Sequence, residues 1–292
     1  MKKIFFLLLP LAILYNSCTD CKDKTAGTGI DKGKLNEYAL AATLYNEISG
    51  EYHALALQAF HLARLRIDEK LRTVKHIPDS LAIIVDLDET ILNNSSFQAQ
   101  LIMDDSTYNR EWNSYIKRIK ATAVPGALEF LNYVDSCNIK YHCNKIKIFY
   151  ITNRDSTQVD TTAINLARLH FPQIDTTNFK RNLNLEVERP KTDGKAQAGN
   201  KEYRFRSVRK VYTVLLQMGD NLNDFSGDFF HQIDRTRDSL VSARDTAFGK
   251  DYIVLPNAMY GDWLTGLCKQ NFNLMSPRQQ DSIMHLNLKG YK

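Results

Sequence analysis

Leu81 to Val85 is an unbroken apolar run, and it stops at Asp86-Leu87-Asp88-Glu89-Thr90. A strand that is apolar on both faces must be covered on both faces, which places it inside a parallel sheet rather than in a half-exposed antiparallel one. The same design recurs along the chain. Ile146–Ile151 runs into Thr152-Asn153-Arg154, Val211–Met218 into Gly219-Asp220-Asn221, and Tyr252–Leu255 into Pro256-Asn257. Helical stretches at Ala127–Asp135, Asp155–His170 and Ser226–Arg244 separate the runs. Strands alternating with helices predict an α/β fold with a Rossmann-like parallel sheet. In such sheets ligands bind at the carboxyl ends of the strands, and every polar cluster named above stands at a carboxyl end.

The residue types in those clusters are chemically specific. Asp86 and Asp88 are two apart at a strand tip and so project to the same side. Taken alone, the pair reads as an acidic strand-to-loop turn. The cluster "MGDNLNDF" changes that reading, because it adds Asp220 and Asp224, one turn apart on one face if a helix starts there. Hard oxygen ligands from two strand tips suit Mg²⁺. With a metal beside it Asp86 can act as a nucleophile, and Asp88 as general acid and then general base. Asp220 is expected as a direct metal ligand, and Asp224 as a direct or water-mediated one. Thr90 is placed to pin the loop. Thr152 can donate its hydroxyl to a phosphoryl oxygen, and backbone amides around Asn153 can do the same at a helix start. A cation must offset the phosphate and the carboxylates. "AGNKEYRFR" offers Lys201, Arg204 and Arg206, and order along the chain does not choose among them.

The first residues have a different grammar. "MKKIFFLLLPLAILYNSC" has two lysines, an apolar run from Ile4 to Tyr15, and small or polar residues before Cys18. This is the pattern of a secretory signal, too short for a comfortable membrane span. A cysteine closing such a segment is expected to be lipidated, with plain secretion as the alternative. Tyr15 and Asn16 depart from the usual lipidation context. The expected organisation is a signal peptide over 1–17, a tether over 18–33, N-terminal helices over 34–80, a main domain over 81–270 and a helical tail over 271–292. Tyr38, Leu40, Ala41, Leu44, Tyr45 and Ile48 form an apolar stripe that should pack on the main domain, followed after Gly50 by Leu55, Leu57, Phe60, Leu62, Leu65 and Ile67. These make two helices or one long broken one. Export permits disulfides. Cys137 and Cys143 either close a loop or stay as thiols, and no cysteine has the spacing of a zinc site. The net charge of +5 over 292 residues is mild and not gathered into an arm, so it marks no nucleic-acid partner.

Strand-Asp-x-Asp-x-Thr, strand-Thr, Lys and strand-Gly-Asp-x-x-x-Asp, in that order, resemble the motifs of the haloacid dehalogenase superfamily. "IVDLDETILNNSSF" and "LLQMGDNLNDF" are similar to the paired signatures of the bacterial class C acid phosphatases, among them outer-membrane lipoprotein 5'-nucleotidases. "VPGALEFLNYV", "FGKDYIVLPNAMYGDW" and "EYHALALQAFHLAR" extend the resemblance over roughly residues 35–270. It implies a sheet of the haloacid dehalogenase type with a helical cap built largely from the N-terminal helices. It also implies a Mg²⁺-dependent phosphomonoesterase with Asp86 phosphorylated, Asp88 as acid and base, the Asp88 carbonyl on the metal, and Asp86, Asp220 and Asp224 as metal-site carboxylates. "GNKEYRF" matches the context of the family lysine, which selects Lys201 over Lys191 and Lys195. The family's nucleotide-cleaving members imply that Phe97, Trp112 and Tyr260 stack a nucleobase at the mouth, beside Tyr108 and Trp263. They imply further that the protein is exported and lipid-anchored at Cys18, at the outer membrane or cell surface. A phosphotransferase on the same scaffold, or a surface binding lipoprotein with a degenerate site, are the alternatives.

Overall fold

A computed structural model describes residues 33–73, 80–141, 146–175, 184–188, 199–230, 232–268 and 272–291, with Thr177, Asn178 and Asn182 in addition. The chain divides into units 1–32 and 33–292, and the description concerns the second. The expected signal peptide, Cys18, Cys143, Lys191 and Lys195 lie outside the described residues, as does all of the tether but Gly33.

The strands are β1 (Leu81–Val85), β2 (Leu92–Asn93), β3 (Thr122–Ala123), β4 (Lys147–Asp155), β5 (Leu185–Glu188), β6 (Thr213–Gly219) and β7 (Tyr252–Val254). Five form one parallel sheet in the order β5-β4-β1-β6-β7, and β2 pairs antiparallel with β3. β1 is central and buried throughout. Its alternating side chains feed two cores. Leu81, Ile83 and Val85 enter one, and Ala82 and Ile84 enter the other. This is the period of two expected of a strand, with both faces covered.

The helices are α1 (Leu40–Ile48), α2 (Gly50–Thr73), α3 (Ser95–Met103), α4 (Tyr108–Arg118), α5 (Ala127–Tyr141), α6 (Val159–Arg168), α7 (Glu202–Arg209), α8 (Asp234–Ser242), α9 (Asp262–Thr265) and α10 (Pro277–Asn287). α2 and α5 cover one face of the sheet. Ala56, Ala59 and Ala63 have short side chains that let α2 lie close, and Phe60 packs on Phe130 with ring centroids 5.7 Å apart. Lys70 of α2 donates to the Leu215 carbonyl of β6 at 2.5 Å. Phe205 and Val208 of α7 cover the other face. Outside these layers α1 lies on α3, and α3 on α4. α1 thus packs in a helical group with α3 and α4, whereas α2 covers the sheet, so the two N-terminal helices do not serve one cap.

One local expectation is settled and two change. The N-terminal stretch is two helices, because Ser49 is extended and its hydroxyl accepts from the Tyr52 amide at 3.0 Å. The apolar stripe of α1 does not pack inward. Leu40, Leu44, Tyr45 and Ile48 are exposed, Ile48 to 78%, because Ala39, Thr43 and Asn46 are the positions turned in. The expected helix over Ser226–Arg244 starts only at Asp234. Ser226 caps a single 3₁₀ turn, Gly227–Phe229, and Phe230 and Ile233 are extended.

Candidate active site

Four strand ends deliver the site. The Asp86 amide still bonds the Met218 carbonyl of β6 at 3.0 Å, so β1 carries its direction into the first carboxylate. At the end of β6, Asn221 caps a single 3₁₀ turn, Leu222–Asp224, rather than a long helix. The turn folds Asp224 back over Gly219, where any side chain would collide with it. This brings Asp86, Asp220 and Asp224 together, each offering an oxygen within 4.8 Å of the others.

Every one of those carboxylates has a fixed partner. Lys201, 3% exposed at the start of α7, donates from Nζ to Asp86 Oδ1 and to Asp224 Oδ1, the latter at 2.7 Å. The Asn221 amide donates to Asp224 Oδ2 at 2.9 Å. Asn257, after β7, donates from Nδ2 to Asp220 Oδ2 at 2.8 Å. The Thr90 hydroxyl lies 3.1 Å from Asp86 Oδ2 and 3.4 Å from Asp220 Oδ1, so its single proton serves the nearer oxygen. The other members of the basic run serve elsewhere. Arg204 donates to the Thr152 carbonyl at 2.5 Å and to Asn153 Oδ1 at 2.7 Å, which holds the end of β4. Arg206 is at the surface, bonded to Glu202 at 3.0 Å.

The charges do not balance within the protein. One ammonium faces three carboxylates, Asp86 and Asp224 buried and Asp220 half-buried. Burial, opposed by Lys201 and helped by Asp224 and Asp88, raises the Asp86 carboxyl to about 7. Burial, with Asp224 and Asp86, pushes Asp220 well above the usual carboxylate range. Burial by itself would lower Lys201, but Asp224 and Asp86 outweigh it and hold the ammonium above its usual value. Three hard oxygen donors with unbalanced negative charge, gathered at the floor of a cavity, fit a divalent cation.

The Asp88 side chain is not part of that group. It points to Arg154, 3% exposed at the end of β4, whose Nη2 donates to Asp88 Oδ1 at 2.6 Å. Asn94 Nδ2 donates to the same oxygen at 2.9 Å. Thr152, 1% exposed, accepts the Arg154 amide on its hydroxyl at 3.1 Å, and Asn153 donates to the Gly199 carbonyl at 2.9 Å. Reading the sequence selected neither Arg154 nor Asn94 nor Asn257. For Arg154 the signal was its place as the sole cation in the cluster ending its strand.

A cavity of about 190 Å³ opens onto Asp86, Asp88, Thr152 and Lys201, with Tyr108, Trp112 and Tyr260 in its wall. Tyr108 and Trp112 stack on each other, centroids 4.9 Å apart. Phe97 does not reach the cavity. It is 5% exposed and packs edge-on behind Trp112 at 5.2 Å, so it supports the wall and cannot offer a ring face to a ligand there. Trp263 lines a neighbouring cavity beyond Tyr260.

This fold and site define a phosphatase of the haloacid dehalogenase superfamily. Residues 21–263 match HAD superfamily, subfamily IIIB (acid phosphatase). Among solved structures, the class C acid phosphatase from Bacillus anthracis is 33% identical, with a TM-score of 0.77, covering 89% of this chain and 100% of that one. A second structure of the Bacillus anthracis class C acid phosphatase, with tungstate bound, is 34% identical, with the same TM-score and coverage. The chain belongs to the subfamily IIIB acid phosphatases and, within them, to the class C enzymes; it is a phosphomonoesterase. Phosphatases of this superfamily generally use a divalent metal. Among the described residues no helix is long and apolar enough to cross a membrane.

The raised carboxyls set a pH dependence. On unfolding, Asp86 returns toward the ordinary value of 3.8, so between about pH 4 and 7 the unfolded chain releases a proton that the metal-free folded protein keeps. This contribution to stability is present at pH 4 and is lost as pH rises through 7. A divalent cation takes the proton's place and removes the loss. The gain in Tm on adding a divalent cation to EDTA-treated protein is expected to grow steadily from pH 4 to 7. A gain independent of pH across that window contradicts the assignment of the cation to these carboxylates.

Proposed function

We propose that the protein is a Mg²⁺-dependent phosphomonoesterase acting through an aspartyl-phosphate on Asp86, with a preference for 5'-nucleotides. The observation that carries the reading is the convergence of Asp86, Asp220 and Asp224 around the Lys201 ammonium, at the floor of a cavity bordered by Asp88 and Thr152. Asp86 attacks phosphorus while Asp88 gives its proton to the leaving oxygen, so the alcohol departs neutral. Asp88 then takes a proton from water as the water oxygen attacks the aspartyl phosphate, releasing inorganic phosphate and regenerating Asp86. The Thr152 hydroxyl and the amide of Asn153 hold phosphoryl oxygens. Lys201 favours the ionised form of Asp86 and bridges it to Asp224. Asp86, Asp220, Asp224 and the Asp88 carbonyl would hold Mg²⁺, which would supply positive charge to the phosphoryl oxygens.

Asp86→Asn keeps size and hydrogen-bonding shape but removes the nucleophile. It is expected to lower kcat by at least about a thousandfold while the protein stays folded. Retention of a tenth of the wild-type rate would exclude the covalent route.

Nucleotide preference is supported by the rings at the mouth. Trp112 and Tyr260 border the same cavity as the phosphate site, and base stacking on an aromatic ring contributes about 1–3 kcal/mol. Tyr260→Ala is expected to lower the ratio of kcat/KM for AMP to that for glycerol phosphate by about fivefold or more. An unchanged ratio, or no preference in the wild type, removes Tyr260 from substrate recognition.

Export with a lipid anchor on Cys18 is supported by the lysine-led apolar segment that precedes it. Palmitate labelling in a bacterial host is expected to disappear in Cys18→Ser and persist in Cys21→Ser. The reverse pattern relocates the anchor.

A further inference from the structure

We propose that Asn94 and Arg154 are positioning residues that commit one oxygen of Asp88, Oδ2, to proton transfer. The inference rests on the reading of Asp88 as acid and base, and it assigns that role to a single atom.

The two oxygens of Asp88 are not equivalent. Oδ1 accepts from Arg154 Nη2 at 2.6 Å and from Asn94 Nδ2 at 2.9 Å. Arg154 Nε shares its one hydrogen between Oδ1 at 3.2 Å and Oδ2 at 3.0 Å, nearer to Oδ2. A carboxylate oxygen has two lone pairs. Those of Oδ1 are both taken by donors of its own, whereas Oδ2 keeps one. A proton could sit on Oδ1 only by displacing a buried donor, and a buried donor left without a partner is costly. The Asp88 side chain retains 19% exposure at the cavity, and that of Arg154 only 1%.

The donors are themselves fixed. Arg154 Nη1 donates to Thr162 Oγ1 at 3.2 Å, and the guanidinium carbon stands 5.6 Å over the Trp112 ring. Asn94, 1% exposed, is oriented from both ends. Its Oδ1 accepts from the Tyr115 hydroxyl at 3.1 Å, and its backbone N–H donates to Glu89 Oε1 at 2.8 Å. Its Nδ2 faces acceptors on Asp88 and Glu89 at 2.9 and 3.3 Å, which fixes the orientation of the amide. Glu89, whose carboxyl accepts from both Asn94 nitrogens, has a left-handed backbone with φ 58°.

In the first step the proton on Oδ2 passes to the ester oxygen as its bond to phosphorus breaks and the Asp86 oxygen–phosphorus bond forms. In the second, the same Oδ2 accepts a proton from the attacking water as the Asp86–phosphate bond breaks. A displaced acid harms these steps unequally. An alkyl phosphate needs its leaving oxygen protonated, but p-nitrophenolate leaves without help. The test is therefore kcat/KM, which reports only steps through phosphorylation, over a series of esters from p-nitrophenyl to alkyl phosphate.

Arg154→Ala is expected to lower kcat/KM for alkyl esters about a hundredfold, within the range that a general acid contributes, and for p-nitrophenyl phosphate less than tenfold. Added guanidinium should restore the alkyl-ester rate. Asn94→Ala leaves the arginine pair in place and should shift the series in the same direction by a smaller factor, so the test survives if Arg154→Ala does not fold. An equal loss on every ester, or none, in the variants that fold overturns the inference. Asp88→Asn separates this from the underlying reading. If it too shows no selective loss on alkyl esters, the acid–base role of Asp88 fails. If it shows that loss and the Arg154 and Asn94 variants do not, only the positioning role fails.

Discussion

The Lys201 ammonium lies between two buried carboxylates, Asp86 and Asp224, with a third, Asp220, within 4.8 Å of both. Putting three such groups this close together, two of them buried, is costly unless the charge is compensated. The rest of the site follows from that constraint. Asp224 can join only because Gly219 leaves room for it and Asn221 turns the chain back. Asp220 is held from the far side by Asn257, which makes β7 a structural member of the centre. The remaining negative charge calls for a cation, and the same excess charge makes the site a receptor for a metal together with a phosphate rather than for phosphate alone.

The neighbouring carboxylate is managed in a different way. Asp88 is two residues from Asp86, yet it shares neither the lysine nor the carboxylate cluster. Arg154 and Asn94 draw it aside. Two acidic side chains from one strand tip are thereby given separate environments, one facing a cation site and the other facing a fork of hydrogen-bond donors. Such separation allows neighbouring carboxyls to take different chemical roles. The aromatic wall belongs to the same arrangement, since Trp112 lies over the arginine that holds Asp88.

The central strands were legible because burial on both faces leaves an uninterrupted apolar record, and the strand-end clusters were legible because a parallel sheet gathers its carboxyl ends. β5 was not, since four residues with two glutamates carry little signal and its partner β4 is distant in sequence. The stripe of α1 is helical, as its spacing predicts, but faces outward, because periodicity defines a face and says nothing about what meets it. The partnership of Arg154 with Asp88 spans 66 residues and has no local pattern. Phe97 shows the same limit on a smaller scale. An aromatic residue near a motif is visible in the sequence, but whether it forms the surface of a cavity or backs it depends on packing.

The proposed function turns on a covalent bond to Asp86, and borohydride reduction would read that bond directly. Aspartyl phosphate reduces to homoserine, whereas free aspartate does not. Wild-type protein quenched during turnover of a phosphomonoester with Mg²⁺, reduced and digested, is predicted to carry homoserine at position 86, and to carry none when substrate is omitted. Homoserine at position 88 or at any other site, or its absence from protein that is turning over substrate, would contradict the account.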